Sequence, residues 1–325
     1  MMNKNSFFTE IKIPQSPFSI THKDNILLFG SCFTDEIGAK LSQNGFNILK
    51  NPFGILYNPK SIEQCIYRIA KRDYFEAKDT IKSGEYYYLF SAHGDFRGLT
   101  QEECLSQINQ SIDNAHTFLE KSNVVIITLG TAWTYWYKEN NYLMGNCHKI
   151  DSKLIERKLL TNKDISEAII NIGKIISDIN PTIRIIFTLS PVRHWREGFR
   201  DNAVSKARLY DAIYQNTDNK QVFYFPSYDI VMDELRDYRF YAKDLLHVGD
   251  VAVDYIWQKF SEVYFSPKTM EINDKFVKLY QMKNHRPFNP QSEGFMKHLT
   301  KIKSLEEELN TYMKNLKSNI LHNNE

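Results

Sequence analysis

Two short segments of the sequence carry side chains that suit nucleophilic catalysis. Ser31 and Cys32 follow Gly30 directly, and they offer a hydroxyl and a thiol as nucleophiles. Much later in the chain, Asp244 precedes His247 by three residues. A carboxylate at that spacing can hold an imidazole ring in one tautomer and stabilise its protonated form, as a general base requires. The two segments together are candidates for a nucleophile and its general base. The alternatives are an ordinary turn with a buried cysteine, and a loop histidine beside a solvated aspartate.

The segment around Cys32 also predicts a strand that turns into a helix. The apolar run 26–29 ends at Gly30, and apolar residues then recur every four positions from Phe33 to Leu41. The first turn of a helix has free N–H groups and a dipole that favours negative charge. We therefore expect the helix to lower the pKa of a thiol at its start and to stabilise an oxyanion beside it.

Three further polar clusters stand where apolar runs end, and they are candidates for substrate or oxyanion binding. They contain Gly130, Thr131 and Trp133, then His148, and finally Arg193 and His194. The alternative is that these are ordinary polar loops. The histidines and cysteines of the chain fit no zinc-binding spacing, so we predict no metal and no cofactor.

Short apolar runs that alternate with helical patterns predict the fold class. The runs are continuous and rich in β-branched residues, as in strands buried on both faces. They cover residues 26–29, 124–129, 183–189 and 222–225. Helical spacing lies between them, notably over 162–179 and over 250–260, where Asp250 is the expected N-cap. The alternation predicts an α/β protein with a mainly parallel sheet, whose site lies at the carboxyl ends of the strands.

Two regions depart from this alternation. Aromatic stretches at 86–90 and at 135–144 predict inserted hairpins. We also predict a catalytic domain over residues 1–265 and a helical extension over 266–325. In the extension, apolar residues step by three or four from Ile302 to Ile320, which predicts one amphipathic helix. This helix either docks on the parent domain or forms a homodimer, although a coiled coil needs about three to four heptads.

The composition limits the class of protein further. The 325 residues are 42% hydrophobic, which is enough for a sizeable core. Lys and Arg number 41 against 39 Asp and Glu, so the net charge of +2 gives no reason to expect nucleic acid or a membrane as a partner. The first residues lack the apolar core of a signal peptide. Four cysteines without a CxxC pair are typical of a reduced compartment, so we predict a cytoplasmic protein.

The order of these features resembles that of the SGNH (GDSL-type) hydrolases. A nucleophile follows the first strand, a glycine-containing turn follows a middle strand, and Asp-x-x-His precedes the last helix. The resemblance to the GSCFA family is closer, since that family is named for the turn that reads Gly-Ser-Cys-Phe-Thr over 30–34 here. It extends from about residue 20 to 262. Further blocks that carry it are 51–59, 128–133, 146–149, 190–194 and 228–257.

This resemblance implies a flavodoxin-like three-layer sandwich and a covalent acyl-enzyme. A gap-free overlay on the Gly-Asp-Ser motif of SGNH enzymes gives Cys32 the nucleophile position, and a shift of one residue gives it to Ser31. His247 would be the base, with Asp244 as its partner. The asparagine donor of the SGNH oxyanion hole is missing, because the matching segment reads Gly-Thr-Ala from Gly130. The residues that could replace that donor are Asn51, Thr131, Trp133, Arg193 and His194. Gly54 corresponds loosely to the second conserved glycine of SGNH enzymes, and His148 is a further candidate for substrate or oxyanion binding.

The activity implied is hydrolysis of an acylated carbohydrate or a small ester. A cysteine nucleophile gives a thioester, which passes to an alcohol or amine as readily as to water. An acyltransferase that acylates a carbohydrate is therefore the first alternative. The second alternative is a carbohydrate-binding module that kept the fold and lost the oxyanion donor.

Overall fold

A computed structural model describes residues 9–321 of the chain. The strands are β1 (Asn25–Gly30), β2 (Asn47–Lys50), β3 (Thr80–Ser83), β4 (Tyr86–Leu89), β5 (Arg97–Gly98), β6 (Val124–Leu129), β7 (Trp133–Tyr137), β8 (Tyr142–Met144), β9 (Ile155–Leu159), β10 (Arg184–Leu189) and β11 (Val222–Phe225). The α-helices are α1 (Cys32–Gln43), α2 (Pro59–Lys71), α3 (Gln101–Glu120), α4 (Asn162–Ile179), α5 (Phe199–Asn216), α6 (Ser227–Asp229), α7 (Asp250–Tyr264), α8 (Pro267–Asn284) and α9 (Glu293–Leu321).

Five parallel strands form the central sheet, in the order β11-β10-β6-β1-β2. Numbered along the chain, this is the 2-1-3-4-5 order of flavodoxin-like folds. Gly30 of β1 is paired with Thr128 of β6, and Thr128 is paired with Thr188 of β10. The carboxyl ends of these three strands therefore lie side by side. The predicted α/β class with a parallel sheet is confirmed.

Helices cover both faces of this sheet, which gives the predicted three layers. Leu27 and Phe29 of β1 enter a core that they share with α2, α3, α4 and α5. Ile26 and Leu28 point to the opposite face and pack with α1 and α7. Because both faces are buried, the strand is apolar at every position rather than at every second one.

The helix boundaries follow the local chemistry of the sequence. Helix α4 begins after Thr161, whose hydroxyl accepts the N–H of Asp164 at 3.2 Å, while the Asp164 carboxylate accepts the N–H of Thr161 at 2.8 Å. At α7 the prediction was wrong by one residue, because Gly249 is the N-cap and Asp250 is the first helical residue. A carboxylate in the first turn still stabilises the helix through its dipole.

The two predicted hairpins are confirmed, and each belongs to a small antiparallel sheet. One sheet has the order β3-β4-β5 and the other has the order β8-β7-β9. Strand β9 was not predicted from the sequence, since its middle residues are charged and exposed. These two sheets lie outside the parallel sheet and do not extend it.

The predicted C-terminal amphipathic helix is present as α9, and it packs against α8 of the same chain. Leu309 is only 2% exposed, Lys275 pairs with Glu308 at 2.7 Å, and the ring of Tyr312 lies 5.8 Å from that of His22. Its apolar face is therefore covered at least in part by its own chain. The domain boundary at 265 and the homodimer stay predictions. Within residues 9–321, no helix is both long and apolar enough to span a bilayer.

Candidate active site

The turn after β1 is built around Gly30. Its φ of +141° is a conformation that side chains rarely allow, and a Cβ atom here would lie 2.3 Å from the carbonyl oxygen of Thr128. The N–H of Gly30 donates to the side-chain oxygen of Asn51 at 2.9 Å. The missing side chain lets β1 lie close to β6 and turn at once into α1.

Ser31 and Cys32 leave this turn in different environments. Ser31 is the N-cap of α1, is 2% exposed, and its hydroxyl has no hydrogen-bond partner among the described residues. Cys32 is the first residue of α1 and is half-buried. Both residues border one cavity of about 270 Å³ at the carboxyl edge of the sheet. Of the two, Cys32 is the more accessible.

Burial raises the pKa of the Cys32 thiol above its ordinary value. The backbone N–H groups of Cys32 and Phe33 act in the opposite direction, and the charges of Asp35 and Glu36 add to the increase. The expectation that the helix start lowers this pKa overall was therefore wrong, because desolvation outweighs the N–H groups. A thiol that stays protonated at neutral pH needs a base before it can attack.

A histidine that is a candidate for this base lines the same cavity. It is His247, whose Nδ1 atom lies 2.6 Å from a carboxylate oxygen of Asp244. The other oxygen of Asp244 accepts the N–H groups of Leu246 and His247, each at 3.0 Å. The N–H of Leu246 first, and then His247, lower the pKa of Asp244 to about 2. The Nε2 atom of His247 makes no hydrogen bond within the part of the chain described and can take a proton.

The loop after β10 forms another wall. Arg193 and His194 line the cavity together with Gly130. The N–H of Arg193 donates to the carbonyl of Leu246 at 3.1 Å, which ties this loop to the one that carries His247. The structure thus brings Ser31, Cys32, Gly130, Arg193, His194 and His247 to one cavity, with Asp244 behind His247.

The loop also contains a second pair of a histidine and a carboxylate, which the sequence analysis did not single out. Nδ1 of His194 lies 2.9 Å from the carboxylate of Glu197, which is buried. Burial alone would raise the pKa of Glu197, but hydrogen bonds from His194 and from the hydroxyl of Tyr135 outweigh it and lower the pKa. Arg157 approaches the same carboxylate at 3.7 Å. Glu197 therefore stays ionised and fixes the His194 ring.

Lys206 of α5 is a buried amine whose side chain contacts two residues that line the cavity, Gly130 and Ser190. It is 3% exposed, and Nζ donates to the carbonyls of Gly130 at 2.8 Å and Ser190 at 2.6 Å. Burial lowers the pKa of Lys206 to about 7, and the nearby Cys32 partly opposes that effect. The sequence does hold a signal, because Lys206 falls on the buried stripe of α5 with Asn202 and Leu209.

Two predicted oxyanion residues, Asn51 and Gly54, make contacts within the turn. The amide group of Asn51 is occupied, since it accepts from Gly30 and donates to Asp35 at 3.2 Å. The N–H of Gly54 donates to the carbonyl of Asn51 at 2.7 Å, and a Cβ atom at Gly54 would lie 2.3 Å from that of His93. Neither residue lines the cavity, and the contacts of both support the turn. Their part in an oxyanion hole stays a prediction.

Three other predicted residues also lie outside the cavity lining. The hydroxyl of Thr131 is held by Ser205 at 3.1 Å. The Trp133 ring faces Arg157, whose guanidinium carbon is 5.8 Å from the ring centroid. His148 is buried and stacks on Tyr88 with 5.0 Å between centroids. These side chains pack within the inserted sheets and their neighbours, so their part in substrate or oxyanion binding stays a prediction.

Backbone N–H groups are the other candidates for oxyanion donors. Those of Gly130 and Thr131 are already occupied, because both donate to the carbonyl of Tyr57, at 2.8 and 3.1 Å. The N–H groups of Cys32 and Phe33 instead face the sulfur of Cys32. Such N–H groups at a helix start stabilise a negative charge that develops beside them. Among the described residues, no group of three or more His, Cys, Asp and Glu side chains is arranged to hold a metal ion.

Two solved structures share a low overall similarity with this chain. One is a carbohydrate esterase of family 3 from Talaromyces cellulolyticus, with a TM-score of 0.36 and 8% identity over 77% of this chain and 98% of that one. The other is an acetyl xylan esterase from the rumen bacterium Butyrivibrio proteoclasticus, with a TM-score of 0.34 and 12% identity over 78% of this chain and 66% of that one. No curated protein sequence matches the chain.

The sequence itself matches one family model, described as the GSCFA family, over residues 25–260. The match begins with β1 and ends within α7, so it contains the turn at Cys32, the loop after β10 and the His247 loop. It covers well over half of the 325 residues. The chain belongs to the GSCFA family.

Proposed function

We propose that this protein is an acyl hydrolase that works through a covalent acyl-cysteine. The observation that carries the proposal is that the thiol of Cys32 and the dyad of His247 and Asp244 meet at one cavity. The raised pKa of Cys32 gives the base a clear role, since the thiol must lose its proton as it attacks.

The reaction proceeds in two halves. In the first, Nε2 of His247 takes the proton of Cys32, and the sulfur forms a bond to the ester carbonyl carbon. The N–H groups of Cys32 and Phe33 hold the oxyanion, and His247 gives its proton to the leaving alkoxide as the ester C–O bond breaks. In the second, His247 takes a proton from water, the hydroxide attacks the thioester, and the sulfur leaves and regains a proton.

The size of the cavity favours a small acyl group. A volume of about 270 Å³ holds an acetyl group and the first atoms of the alcohol that carries it. Larger parts of a substrate have to lie outside this cavity. An acylated carbohydrate or a small ester satisfies both conditions, and these are the substrates that we propose.

Peptide-mapping mass spectrometry tests the proposal. The protein is mixed with p-nitrophenyl acetate, quenched in acid within seconds and digested, beside the variants Cys32→Ala, Ser31→Ala and His247→Ala. We expect an acetyl group on the Cys32 peptide of the wild type and of Ser31→Ala, and none in the other two. An acetyl group on Ser31 would transfer the nucleophile role to that residue. The absence of any adduct and of nitrophenol release would overturn the proposal in favour of a binding module.

Acyl transfer to a carbohydrate is a second candidate, favoured by the sulfur nucleophile itself. A neighbouring cavity of about 630 Å³ shares Arg193, Trp195 and Leu246 with the Cys32 cavity. It offers room for an acceptor beside the acyl-enzyme. If the acetylated enzyme is isolated and mixed with sugars, a faster loss of the acetyl group with formation of an acetylated sugar selects the transferase. An unchanged rate of loss selects the hydrolase.

A further inference from the structure

Two arginines border the Cys32 cavity without a carboxylate partner among the described residues. The guanidinium of Arg193 donates to the sulfur of Met232 at 3.5 Å, and that of Arg196 donates to the sulfur of Cys147 at 3.4 Å. Sulfur is a weak acceptor, so most of the N–H groups of each guanidinium have no strong acceptor on the protein. A guanidinium binds carboxylate and phosphate groups best, with two parallel hydrogen bonds.

Neither Glu197 nor Asp244 forms a salt bridge with Arg193 or Arg196, although the charge of Glu197 acts on Arg196. Glu197 already accepts from His194 and Tyr135 and lies 3.7 Å from Arg157. Asp244 is held by His247 and by backbone N–H groups. The hydrogen bonds of both carboxylates therefore go to groups other than the two arginines. Most guanidinium N–H groups of Arg193 and Arg196 have no strong acceptor and are left for an anionic ligand.

The position of the arginines indicates which part of a substrate they meet. Arg193 lies between the Cys32 cavity and the neighbouring cavity of about 630 Å³, because it lines both. Arg196 lines the Cys32 cavity, and its guanidinium carbon lies 4.9 Å from the ring centroid of Tyr135. In line with the proposed function, we place the acyl group in the small cavity beside Cys32. The alcohol part of the ester then extends toward the larger cavity, which Arg193 also lines.

We propose that the substrate is an ester whose alcohol part carries a carboxylate or phosphate group, and that Arg193 and Arg196 bind this group. The inference rests on the proposed acyl-cysteine chemistry, because it uses Cys32 to define where the ester lies. The inference narrows the substrate class, because neutral sugar esters and simple alkyl esters lack the anionic group that the two arginines would bind.

Three acetate esters of similar shape test this proposal. They are phenyl acetate, 4-acetoxybenzoate and 4-acetoxyphenyl phosphate, which differ in the charge on the alcohol part. We expect kcat/KM for at least one anionic ester to exceed that for phenyl acetate by about tenfold to a hundredfold. That ratio falls to about one in Arg193→Gln or Arg196→Gln, and it decreases as salt is added. The control is Arg200→Gln, an exposed arginine outside both cavities, which keeps the ratio. The two anionic arms distinguish a carboxylate site from a phosphate site.

A binding measurement separates failure of this inference from failure of the proposed function. Calorimetry on Cys32→Ala compares phenol with 4-hydroxybenzoate and 4-hydroxyphenyl phosphate. Preferential binding of an anionic phenol that depends on both arginines supports the site, even if no acyl-cysteine forms in the wild type. Acylation of Cys32 with equal kcat/KM for the three esters, and equal binding of the three phenols, overturns the arginine site and leaves the hydrolase proposal intact.

Discussion

The carboxylate of Asp244 lies 2.6 Å from Nδ1 of His247, and its second oxygen accepts two backbone N–H groups of the same loop. The backbone thus fixes the carboxylate, and the carboxylate fixes the ring. Both side chains are exposed, so this arrangement depends on hydrogen bonds within a short loop and not on packing. The low pKa of Asp244, about 2, keeps the carboxylate ionised down to that pH.

Replacement of Asp244 with Asn should therefore slow acylation more than it alters the fold. An amide cannot stabilise the protonated imidazole, and it can favour the wrong tautomer, so we expect a loss of about a hundredfold to ten-thousandfold. The nitrophenol burst with p-nitrophenyl acetate measures this rate. Asp250→Asn, an exposed aspartate at the start of α7, is the matched control. A normal burst in Asp244→Asn would remove Asp244 from the proposed machinery.

Lys206 should tune the reactivity of Cys32. Because the ammonium group lies beneath the cavity and interacts electrostatically with Cys32, we expect Lys206→Met to raise the pKa of the thiol. Labelling of Cys32 by iodoacetamide at pH 7 should slow by about tenfold, as an increase of one pKa unit requires. The rate is followed by mass spectrometry from pH 6 to pH 10, with Cys147 as the internal control. Identical pH profiles for the two proteins would limit Lys206 to a structural role.

Gly30 should not tolerate a side chain. Alanine at this position would place Cβ within 2.3 Å of the Thr128 carbonyl and force a φ near +141°. We expect Gly30→Ala to lower the free energy of unfolding by about 2–4 kcal/mol or to prevent folding. Gly173 lies in α4 with open space around it, so Gly173→Ala should instead raise the free energy of unfolding by about 0.5–1 kcal/mol. Urea unfolding of the two variants checks both values, and equal stability would contradict the backbone argument.

His148 should make the protein less stable in mild acid. Burial lowers the pKa of His148 to about 4, whereas an unfolded histidine titrates near 6.5. Between these values the unfolded state binds the extra proton, so the free energy of unfolding falls as the pH decreases, by up to about 3 kcal/mol. His148→Asn suits the left-handed φ of +48° and should flatten this dependence. Urea unfolding at pH 7.5 and pH 5 tests the change, with His285→Asn as the exposed control.

Removal of residues 299–325 should expose a patch that α9 covers. Leu309 is buried and Tyr312 packs near His22 of the same chain, so we expect a lower unfolding midpoint and an unchanged number of chains per particle. Light scattering after size exclusion measures the mass. A mass that falls to about half would show instead that the helix holds a homodimer.

The parallel sheet could be predicted because four of its strands are continuous apolar runs. Strand β2 was not predicted, because it is a short edge strand of four residues with polar residues, Asn47 and Lys50, at its two ends. The loops that form the site were also accessible to prediction, because parallel strands bring their carboxyl ends together. Cys32, Arg193 and His194 follow from that rule, whereas His247 was found from its spacing to Asp244.

The partners of those residues were harder to predict. A polar side chain in a loop shows its chemistry in the sequence but not the direction in which it points. Asn51 uses its amide group on Gly30, whereas Lys206 reaches two strand ends from the middle of a helix. Tertiary contacts decide both cases. The buried Glu197 is similar, since two of its partners, Tyr135 and Arg157, come from distant strands of an inserted sheet.

The separation of Cys32 and His247 along the chain also has a consequence for protein synthesis. Cys32, the proposed nucleophile, follows the first strand of the sheet, while His247, its proposed base, comes 215 residues later, beyond the last strand. A ribosome that adds about 5–20 residues per second needs about 10–40 s to cover that separation. The nascent chain therefore carries the Cys32 thiol well before His247 is synthesised. If the two residues act together as proposed, activity is one of the last properties that the chain acquires.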